Sequence, residues 1–545
     1  MKLDLPMALG RRVRPATPTG YSASKTMLAT LSLMCVANAF ALEFDSGNDD
    51  LKIRWDNSLK YSNALRLKAP LAALANDPNQ GDGDSNFSKK GLISNRVDLL
   101  SDFDLVFKGD YGFRVSGAAW YDSVYNRSTH NNGVPFLYNP SSVPASEFTD
   151  ATRKLHGRKA ELLDAFVFAK GDIDGTRWSV RAGRHTLVWG ETLFFGANGI
   201  AGGQAPVDVV KLLSVPNSQF KEILRPTGQL SGTLQLTPDV LIGAYYQYDW
   251  ERTRLPGVGS YFSTQDLFNE GGERFFLGGP VLRRGPDATP GNAGQGGLQL
   301  RFRLPEGQTD FGIYAVRFNE KTPNLYLNIP IATYSIAFQK GVTAFGLSAS
   351  RTFGGVNLAS EVSVRRQASL VNDGTVNLTA APPSADNPRY PVGNTAHANV
   401  SAIWTVPSMP GLREATLLAE VAWNRRLSVS NGGMLALNST RDAWGTRMVF
   451  TPTFRQVFPG MDLNVPIGLG YIPKGTSQSV AAFGVNKGGD FSIGLAGNYL
   501  NTWNLGLNYS HYFGSAGTTL EAGHISYKQD KRDRDFLALS VQTTF

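Results

Sequence analysis

The sequence predicts an all-β protein, a transmembrane antiparallel β-barrel of about 18 strands with long extracellular loops. Segments of roughly ten residues that alternate apolar and polar side chains recur along the chain. Charged residues make up 18% and aromatic residues 11% of its 545 residues, which is charge-poor and ring-rich for a soluble protein. The chain also ends on an alternating segment closed by Phe545.

The first 41 residues have the pattern of a secretory signal peptide. A basic leader precedes the apolar run 27–36, and Ala37, Asn38 and Ala39 give a small-residue cleavage pattern. The apolar run is about half of the roughly 20 residues that a membrane-spanning helix needs. We therefore expect residues 1–41 to be removed and residues 42–545 to form a single outer-membrane β-barrel domain.

The leader also accounts for much of the chain's charge and for its only cysteine, Cys35. It holds five of the 53 Lys and Arg and one of the 45 Asp and Glu, which leaves 48 basic and 44 acidic residues. Such a small excess does not indicate nucleic-acid binding. Without Cys35, no disulfide or thiol chemistry is expected.

The segment from Leu51 to Lys68 shows the two-sided pattern most clearly. One face is mostly apolar and the other carries Lys52, Arg54 and Asp56. Charges repeated in many strands need water, because a dry core would impose steep desolvation costs. Either a sheet with one solvated face or a barrel with a wet lumen supplies it. Export and aromatic residues near many segment ends favour a barrel in the outer membrane of a Gram-negative cell.

Eighteen strands follow if long outer loops alternate with short inner turns and both termini are periplasmic. Sixteen strands is the alternative, because boundaries read from sequence shift by about 2 to 4 residues. The apolar pieces 334–338 and 524–527 are assigned to outer loops. The predicted strands are 51–67, 93–108, 111–122, 160–169, 177–185, 227–237, 240–250, 296–304, 310–318, 342–352, 356–366, 397–405, 414–426, 442–453, 462–471, 488–499, 502–512 and 535–545.

The terminal phenylalanine resembles the aromatic residue on which outer-membrane barrels commonly end. That resemblance implies that Phe545 is an assembly signal read by the barrel-assembly machinery. The last strand must also pair with the first, 51–67, to remove both sheet edges.

The third outer loop, 186–226, is predicted to fold into the lumen and occupy part of it. Val207, Val210 and Leu213 recur at near-helical spacing behind Pro206, and Phe220 follows. Because a long apolar segment does not belong on a water-facing loop, we expect it to fold inward and narrow the lumen. The alternative is an apolar cap packed on neighbouring loops outside. The fourth loop, 251–295, is similarly rich in rings, and together the two loops indicate a path that tolerates apolar solutes.

Charged residues flank the third loop and allow two interpretations. Arg181, Arg184, His185 and Glu191 could form an electrostatic eyelet in the lumen, or they could pair with loop carboxylates and fix the loop. The stretch 77–86, with Asp82 and Asp84, has calcium-like oxygen spacing but lacks a full calcium-loop signature. We interpret it as a solvated turn.

Catalytic patterns are not found in the sequence. None of the six histidines has a metal-ligand spacing, and no nucleophile elbow, phosphate loop or dinucleotide fingerprint occurs in a suitable context. We therefore predict no enzyme activity, no cofactor and no metal.

Several stretches together resemble the proteobacterial outer-membrane family catalogued as domain of unknown function 1302. The resemblance spans nearly the whole mature chain, and it implies traffic of hydrophobic compounds with a periplasmic partner and a resistance-nodulation-division-type permease of the inner membrane. The residues that carry it are Ile53 to Asn57, Leu59 to Tyr61, Gly81 to Asp84, Ser94 to Asp98, Arg181 to Arg184, Trp189 to Glu191 and Asp533 to Phe536.

The leading hypothesis is an outer-membrane channel for hydrophobic or amphipathic small molecules, passive or coupled to those partners. Outer-membrane lipid and the assembly machinery are the other expected partners. Two alternatives are a structural or adhesive surface barrel and an outer-membrane enzyme that acts on lipid.

Overall fold

The structure is a computed structural model that describes residues 42–133, 138–215, 219–304, 306 and 308–545. The predicted signal peptide, residues 1–41, lies outside the described residues. Among those residues, no helix is both long enough and apolar enough to cross a membrane.

Eighteen strands form one closed antiparallel barrel in which every strand pairs with its neighbours in sequence. The eighteen-strand prediction is confirmed, because each predicted segment overlaps one strand. They are β1 (Leu51–Arg66), β2 (Gly91–Phe107), β3 (Tyr111–Asp122), β4 (Arg158–Ile173), β5 (Thr176–His185), β6 (Thr227–Thr237), β7 (Val240–Gln247), β8 (Gln295–Leu304), β9 (Thr309–Phe318), β10 (Val342–Phe353), β11 (Val356–Ser369), β12 (Val392–Val406), β13 (Glu414–Val429), β14 (Asp442–Phe458), β15 (Met461–Asn464 and Ile467–Lys474), β16 (Gly488–Tyr499), β17 (Trp503–Phe513) and β18 (Phe536–Thr544).

The last strand closes the barrel on the first. β18 pairs with β1 from Ser58 opposite Thr544 to Arg66 opposite Phe536. Phe545 continues this ladder, since its N–H donates to the Asn57 carbonyl at 2.8 Å and its carbonyl accepts from the Asn57 N–H at 2.7 Å. The short strand Leu42–Phe44 pairs with the remaining edge of β1. These pairings remove the open edge that a sheet would otherwise present.

The alternation of side chains separates an apolar outer wall from a polar interior. Outward positions are exposed and apolar, for example Val167 at 58%, Leu298 at 61% and Val400 at 56%. Positions of opposite parity carry charges, as where Arg114 of β3 meets Asp102 of β2 at 3.0 Å. β15 is interrupted at Pro466, whose missing N–H cannot serve the ladder.

Short turns close one end of the barrel and long loops close the other. In one of the two-residue turns, Asp174 and Gly175 both have positive φ, 52° and 84°, as a type I′ hairpin requires. At the loop end, five short strands from three loops form a separate sheet: Arg274–Phe276, Val281–Arg284, Asn324–Asn328, Thr333–Ala337 and Thr375–Asn377. The assignment of 334–338 and 524–527 to loops is confirmed, since their strands join only other loop strands.

The predicted solvated turn at 77–86 is wrong, because its carboxylates are buried. Asp84 is 1% exposed and pairs with Arg66 at 2.7 Å and with Arg534 at 3.0 Å. Both oxygens of Asp82 accept the Asn139 N–H. These contacts therefore fix the first loop to the second loop and to the ends of β1 and β18, over the junction where the barrel closes. Over the described ranges, no three His, Cys, Asp or Glu side chains are grouped so that they could hold a metal ion.

Candidate functional site

The first half of the third loop, residues 186–205, crosses the barrel, and we call it the crossing segment. It contacts the inner face of β11. Glu361 of β11 accepts the Glu191 N–H at 2.9 Å through one carboxylate oxygen and the Ile200 N–H at 2.6 Å through the other. Its neighbours Val362 and Val364 have the opposite parity and are exposed on the outer wall. Glu361, which is 2% exposed, must therefore point into the barrel.

A second carboxylate on β13 holds the middle of the same segment. One oxygen of Glu420 accepts the N–H groups of Phe194 and Phe195, at 2.5 and 2.9 Å. The other oxygen accepts the Asn399 side-chain amide at 2.8 Å. Charged acceptors satisfy backbone donors that would otherwise be buried without partners.

Asn198 fixes the loop to β12 between these two carboxylates. Its amide donates to Asn399 Oδ1 at 2.7 Å, and its oxygen lies 3.0 Å from His397 Nδ1. Arg365 of β11 donates to the carbonyls of Ala197 and Gly199, each at 2.8 Å. The segment begins at β5 and is fixed on β11 to β13, at least six strands away in a ring of eighteen. It therefore crosses the lumen, and the prediction of an inward-folded loop is confirmed.

The second half of the loop returns as a lobe, whose described residues are 206–215 and 219–225. Pro206 and Arg225 meet at its base, where the Arg225 N–H donates to the Pro206 carbonyl at 2.9 Å. Val207 forms an antiparallel bridge with Leu224, and the Asp208 N–H donates to the Ile223 carbonyl at 2.7 Å. The lobe contains the helix Val209–Ser214 and the 3-10 turn Phe220–Ile223.

The helix begins later than the sequence predicted. Val210 and Leu213 lie within it, but Val207 lies in the bridge at the base of the lobe. The reason is that Asp208 caps the helix, its carboxylate accepting the Lys211 N–H at 3.0 Å. Val207, Val210 and Leu213 are all half-buried.

Phe220 lies in the apolar core of the loop itself, where it is 4% exposed and packs with Ala201 and Ile223. A Cβ added to Gly196 would lie 2.0 Å from the Phe220 ring, so only glycine allows this contact. Phe220 therefore joins the crossing segment to the lobe. Phe220, which was predicted as a constriction residue, thus lies inside the loop and supports it rather than facing the lumen.

An ion-paired cluster ties the lobe to β4. Arg254 of the fourth loop contacts Asp208 of the lobe at 2.8 Å and also pairs with Glu161 of β4. Lys159 contacts the same Glu161 at 2.9 Å. The third loop is thus fixed at β4 as well as at β11 to β13.

The predicted charged residues do not form one group. Strand alternation places Arg181 and His185 on one face of β5 and Arg184 on the other. Arg181 lies over the Phe166 ring at 5.6 Å, and His185 Nε2 lies 2.8 Å from Ser231 Oγ. Arg184 instead pairs with Glu251 of the fourth loop at 2.7 Å, which is the loop-fixing arrangement.

Glu191 lies in the crossing segment, where its carboxylate is 3.3 Å from Arg301 of β8. Burial raises the pKa of the Glu191 carboxyl, and Arg301 opposes that rise. Glu191 and Arg301 therefore place opposite charges between the crossing segment and β8.

The fourth loop does not fill the lumen with its rings. Tyr261 is 1% exposed and packs edge-on to Phe87 of the first loop. Phe275 belongs to the small sheet at the loop end, packed with Leu267 and Tyr334. These rings form the apolar cores that hold the long loops together.

The residues that hold the crossing segment were not predicted: Asn198, Glu361, Arg365, His397, Asn399 and Glu420. The available signal was that charged and amide side chains occupy the inward parity of β11 to β13. Alternation identifies them as inward, but it does not say which of them meets the loop.

Several solved structures are similar to this chain over most of its length. OccAB1 of Acinetobacter baumannii is 11% identical, with 93% of this chain and 98% of that one covered and a TM-score of 0.42. OccAB4 of the same organism is 12% identical, with 90% and 98% covered and a TM-score of 0.41. The outer membrane channel DcaP of that organism is 9% identical, with 93% and 100% covered and a TM-score of 0.37.

Among curated proteins, none matches the chain. One family profile does, and it extends from residue 22 to residue 545. The chain therefore belongs to the family described as protein of unknown function, DUF1302.

Proposed function

We propose that this protein is an outer-membrane channel for hydrophobic or amphipathic small molecules. The observation that carries the proposal is the third loop, which crosses a wide closed barrel and is fixed to its inner wall by Glu361 and Glu420. A barrel of eighteen strands is wide enough for an aqueous path unless something narrows it. A fixed crossing loop is the feature that a selective path requires.

The outer membrane is supported as the location by the apolar outer wall. Exposed valines and leucines surround the strands, and in water such a surface would aggregate. In a bilayer the same side chains meet lipid, while the charged inward parity keeps the lumen wet.

An aromatic ring that lies beside a charged group in the lumen supports hydrophobic or amphipathic molecules as the solutes. Phe194 lies in the crossing segment, with the Arg447 guanidinium 5.8 Å from its ring centre. Apolar solutes with a polar group match such surfaces. Coupling to a periplasmic partner and an inner-membrane permease remains a prediction that rests on the family resemblance.

The test is to remove most of the lobe without opening its base. Residues 209–222 are replaced by two glycines, which join Asp208 to Ile223 across their 2.7 Å hydrogen bond. This excision keeps the Asp208 contact with Arg254. Met434→Gln, at a side chain 85% exposed in another loop, is the control.

We expect the excision to raise the flux of a neutral aromatic alcohol into liposomes and the single-channel conductance in planar bilayers. The control variant should match the wild type. Unchanged flux and conductance after excision would contradict the constriction. A wild-type protein that passes no solute would favour the structural or adhesive barrel, and lipid turnover would favour the enzyme.

A further inference from the structure

A cavity of about 620 Å³ lies at the loop end of the barrel, beside the lobe 206–225. The second, fourth and fifth loops line it, together with the start of β4 and Arg225 at the base of the lobe. Its volume is within the range of small-molecule sites, about 300–1,000 Å³. A solute that enters from the loop end meets this cavity beside the lobe.

One side of the cavity is apolar and aromatic. Trp250 packs edge-on to Phe338, with 4.9 Å between ring centres. The indole N–H donates to the Glu320 carbonyl at 3.2 Å, so the only polar atom of the Trp250 side chain is already bonded. Phe268 and Leu155 extend the same surface. This side suits a hydrocarbon or aromatic body, and it meets the cationic side where the Arg252 guanidinium lies 5.3 Å from the centre of the Phe338 ring.

The other side is cationic. Among the described residues that line the cavity, Lys154, Lys159, Arg225, Arg252 and Arg254 outnumber Glu251 and Glu270. Four of these five cations have carboxylate partners. Arg225 contacts Glu251 at 2.9 Å, and Arg252 contacts Asp287 at 2.7 Å. Arg254 and Lys159 pair with Asp208 and Glu161, as described above, which leaves Lys154 as the cation without an ion pair among the described residues. Glu251, however, is shared with Arg184, which lies 2.7 Å away.

The positive charge on this side is not fully offset. Burial and the neighbouring Arg254 lower the pKa of the Arg225 guanidinium, against the opposing effect of Glu251. Lys154 is exposed at the rim. A guanidinium has five N–H donors, and the ion pair of Arg252 with Asp287 uses one of its terminal nitrogens. Donors and charge are therefore available to an anionic group.

We propose that this cavity binds small amphipathic anions, in which an apolar body carries a single carboxylate or sulfonate. The proposal rests on the proposed channel function and names its solute class. The apolar body packs on Trp250 and Phe268, and the acid group meets Arg252, Arg225 and Lys154. A neutral apolar solute would make no ionic contact with the cationic side, and an inorganic anion would leave the aromatic side uncovered.

The test compares 4-phenylbutyrate with 4-phenylbutan-1-ol, which share the apolar body and differ in charge. Binding to the purified protein in non-ionic detergent is followed by calorimetry and by tryptophan fluorescence. We expect the acid to bind at least about tenfold more tightly than the alcohol, the size of one charged contact. Acetate, which lacks the apolar body, should not compete.

The variant Lys154→Gln with Arg252→Gln removes two of the charges. We expect it to weaken binding of the acid by about tenfold or more and binding of the alcohol by less than about twofold. Lys89→Gln with Lys90→Gln, at exposed positions of the first loop, is the matched control and should bind the acid like the wild type. Lys154→Gln alone, at an exposed side chain, serves if the double variant fails to fold.

Equal affinity of the wild type for acid and alcohol would overturn the proposal, as would a Lys154 and Arg252 variant that binds the acid normally. Wild-type flux of the neutral alcohol into liposomes tests the channel separately. A protein that passes the alcohol but does not prefer the acid would refute this inference and leave the channel proposal standing.

Discussion

Replacing Glu361 by glutamine should release the crossing segment from the barrel wall. Both carboxylate oxygens of Glu361 accept backbone N–H groups, from Glu191 and from Ile200. Glutamine has the same shape but only one oxygen, and its amide nitrogen is a donor. One of the two backbone N–H groups would then face the side-chain NH2 group of the glutamine, which cannot accept a hydrogen bond.

The free-energy cost of the substitution follows from the two hydrogen bonds that Glu361 accepts. One charged hydrogen bond becomes a neutral one, and the other becomes a buried donor without an acceptor, which together cost about 2–4 kcal/mol. Since each 1.4 kcal/mol is tenfold, the population with a detached loop should rise by about 30- to 700-fold. The outer wall and the barrel seam do not touch Glu361, so the barrel itself should stay folded.

Hydrogen exchange of the Glu191 and Ile200 amides measures that population directly, because these two N–H groups exchange when the loop detaches. We expect their protection to fall by the same factor, and large-conductance events in planar bilayers to become more frequent. Glu414→Gln is the control, because Glu414 is an exposed partner of Arg455 at the turn end. Unchanged protection at Glu191 and Ile200 in the Glu361→Gln protein would refute the reasoning.

Three further predictions concern the seam, the loop core and assembly. Arg66→Ala should destabilise the protein by about 3–5 kcal/mol in denaturant unfolding, because it leaves two buried carboxylates, Asp84 and Asp533, to share the single cation of Arg534. Arg455→Ala, at an exposed ion pair, should match the wild type, and equal effects of the two variants would contradict this. Asp266 accepts the Asp82 N–H, and burial raises the pKa of the Asp266 carboxyl to about 7. In the folded state this carboxyl therefore keeps a proton up to about pH 7, whereas in the unfolded state it loses that proton near pH 4. Thermal stability should therefore fall as pH rises from about 4 to 7, and Asp266→Asn should flatten that slope; a slope equal to that of the wild type would count against it. Phe545→Ala should lower the folded fraction on heat-modifiability gels several-fold if the terminal ring is an assembly signal, while Thr544→Ala should not, and equal folded fractions would remove that role.

The sequence was sufficient for the barrel because the signal for a membrane strand is local. Each side chain's face follows from its parity along the strand, so β1 could be recognised from an apolar face that alternates with Lys52, Arg54 and Asp56. The count of eighteen followed from the same alternation and from the lengths of the connections. The closing pair followed from the need to remove both sheet edges, and the inward third loop followed from its apolar residues. The buried stretch around Asp84 was misread, since its partners Arg66 and Arg534 are brought to it only when the barrel closes.

Only the tertiary structure decided which side chains hold the loop that crosses the lumen. Glu361 lies 170 residues from the Glu191 amide, and Glu420 lies 226 residues from that of Phe194. Contacts over such separations depend on strand register and on the circumference of the closed barrel, which are properties of the whole ring. Alternation specifies that a carboxylate points into the barrel. Which N–H groups of the third loop it meets depends on where the closed barrel places β11 and β13 relative to β5, the strand from which the loop starts.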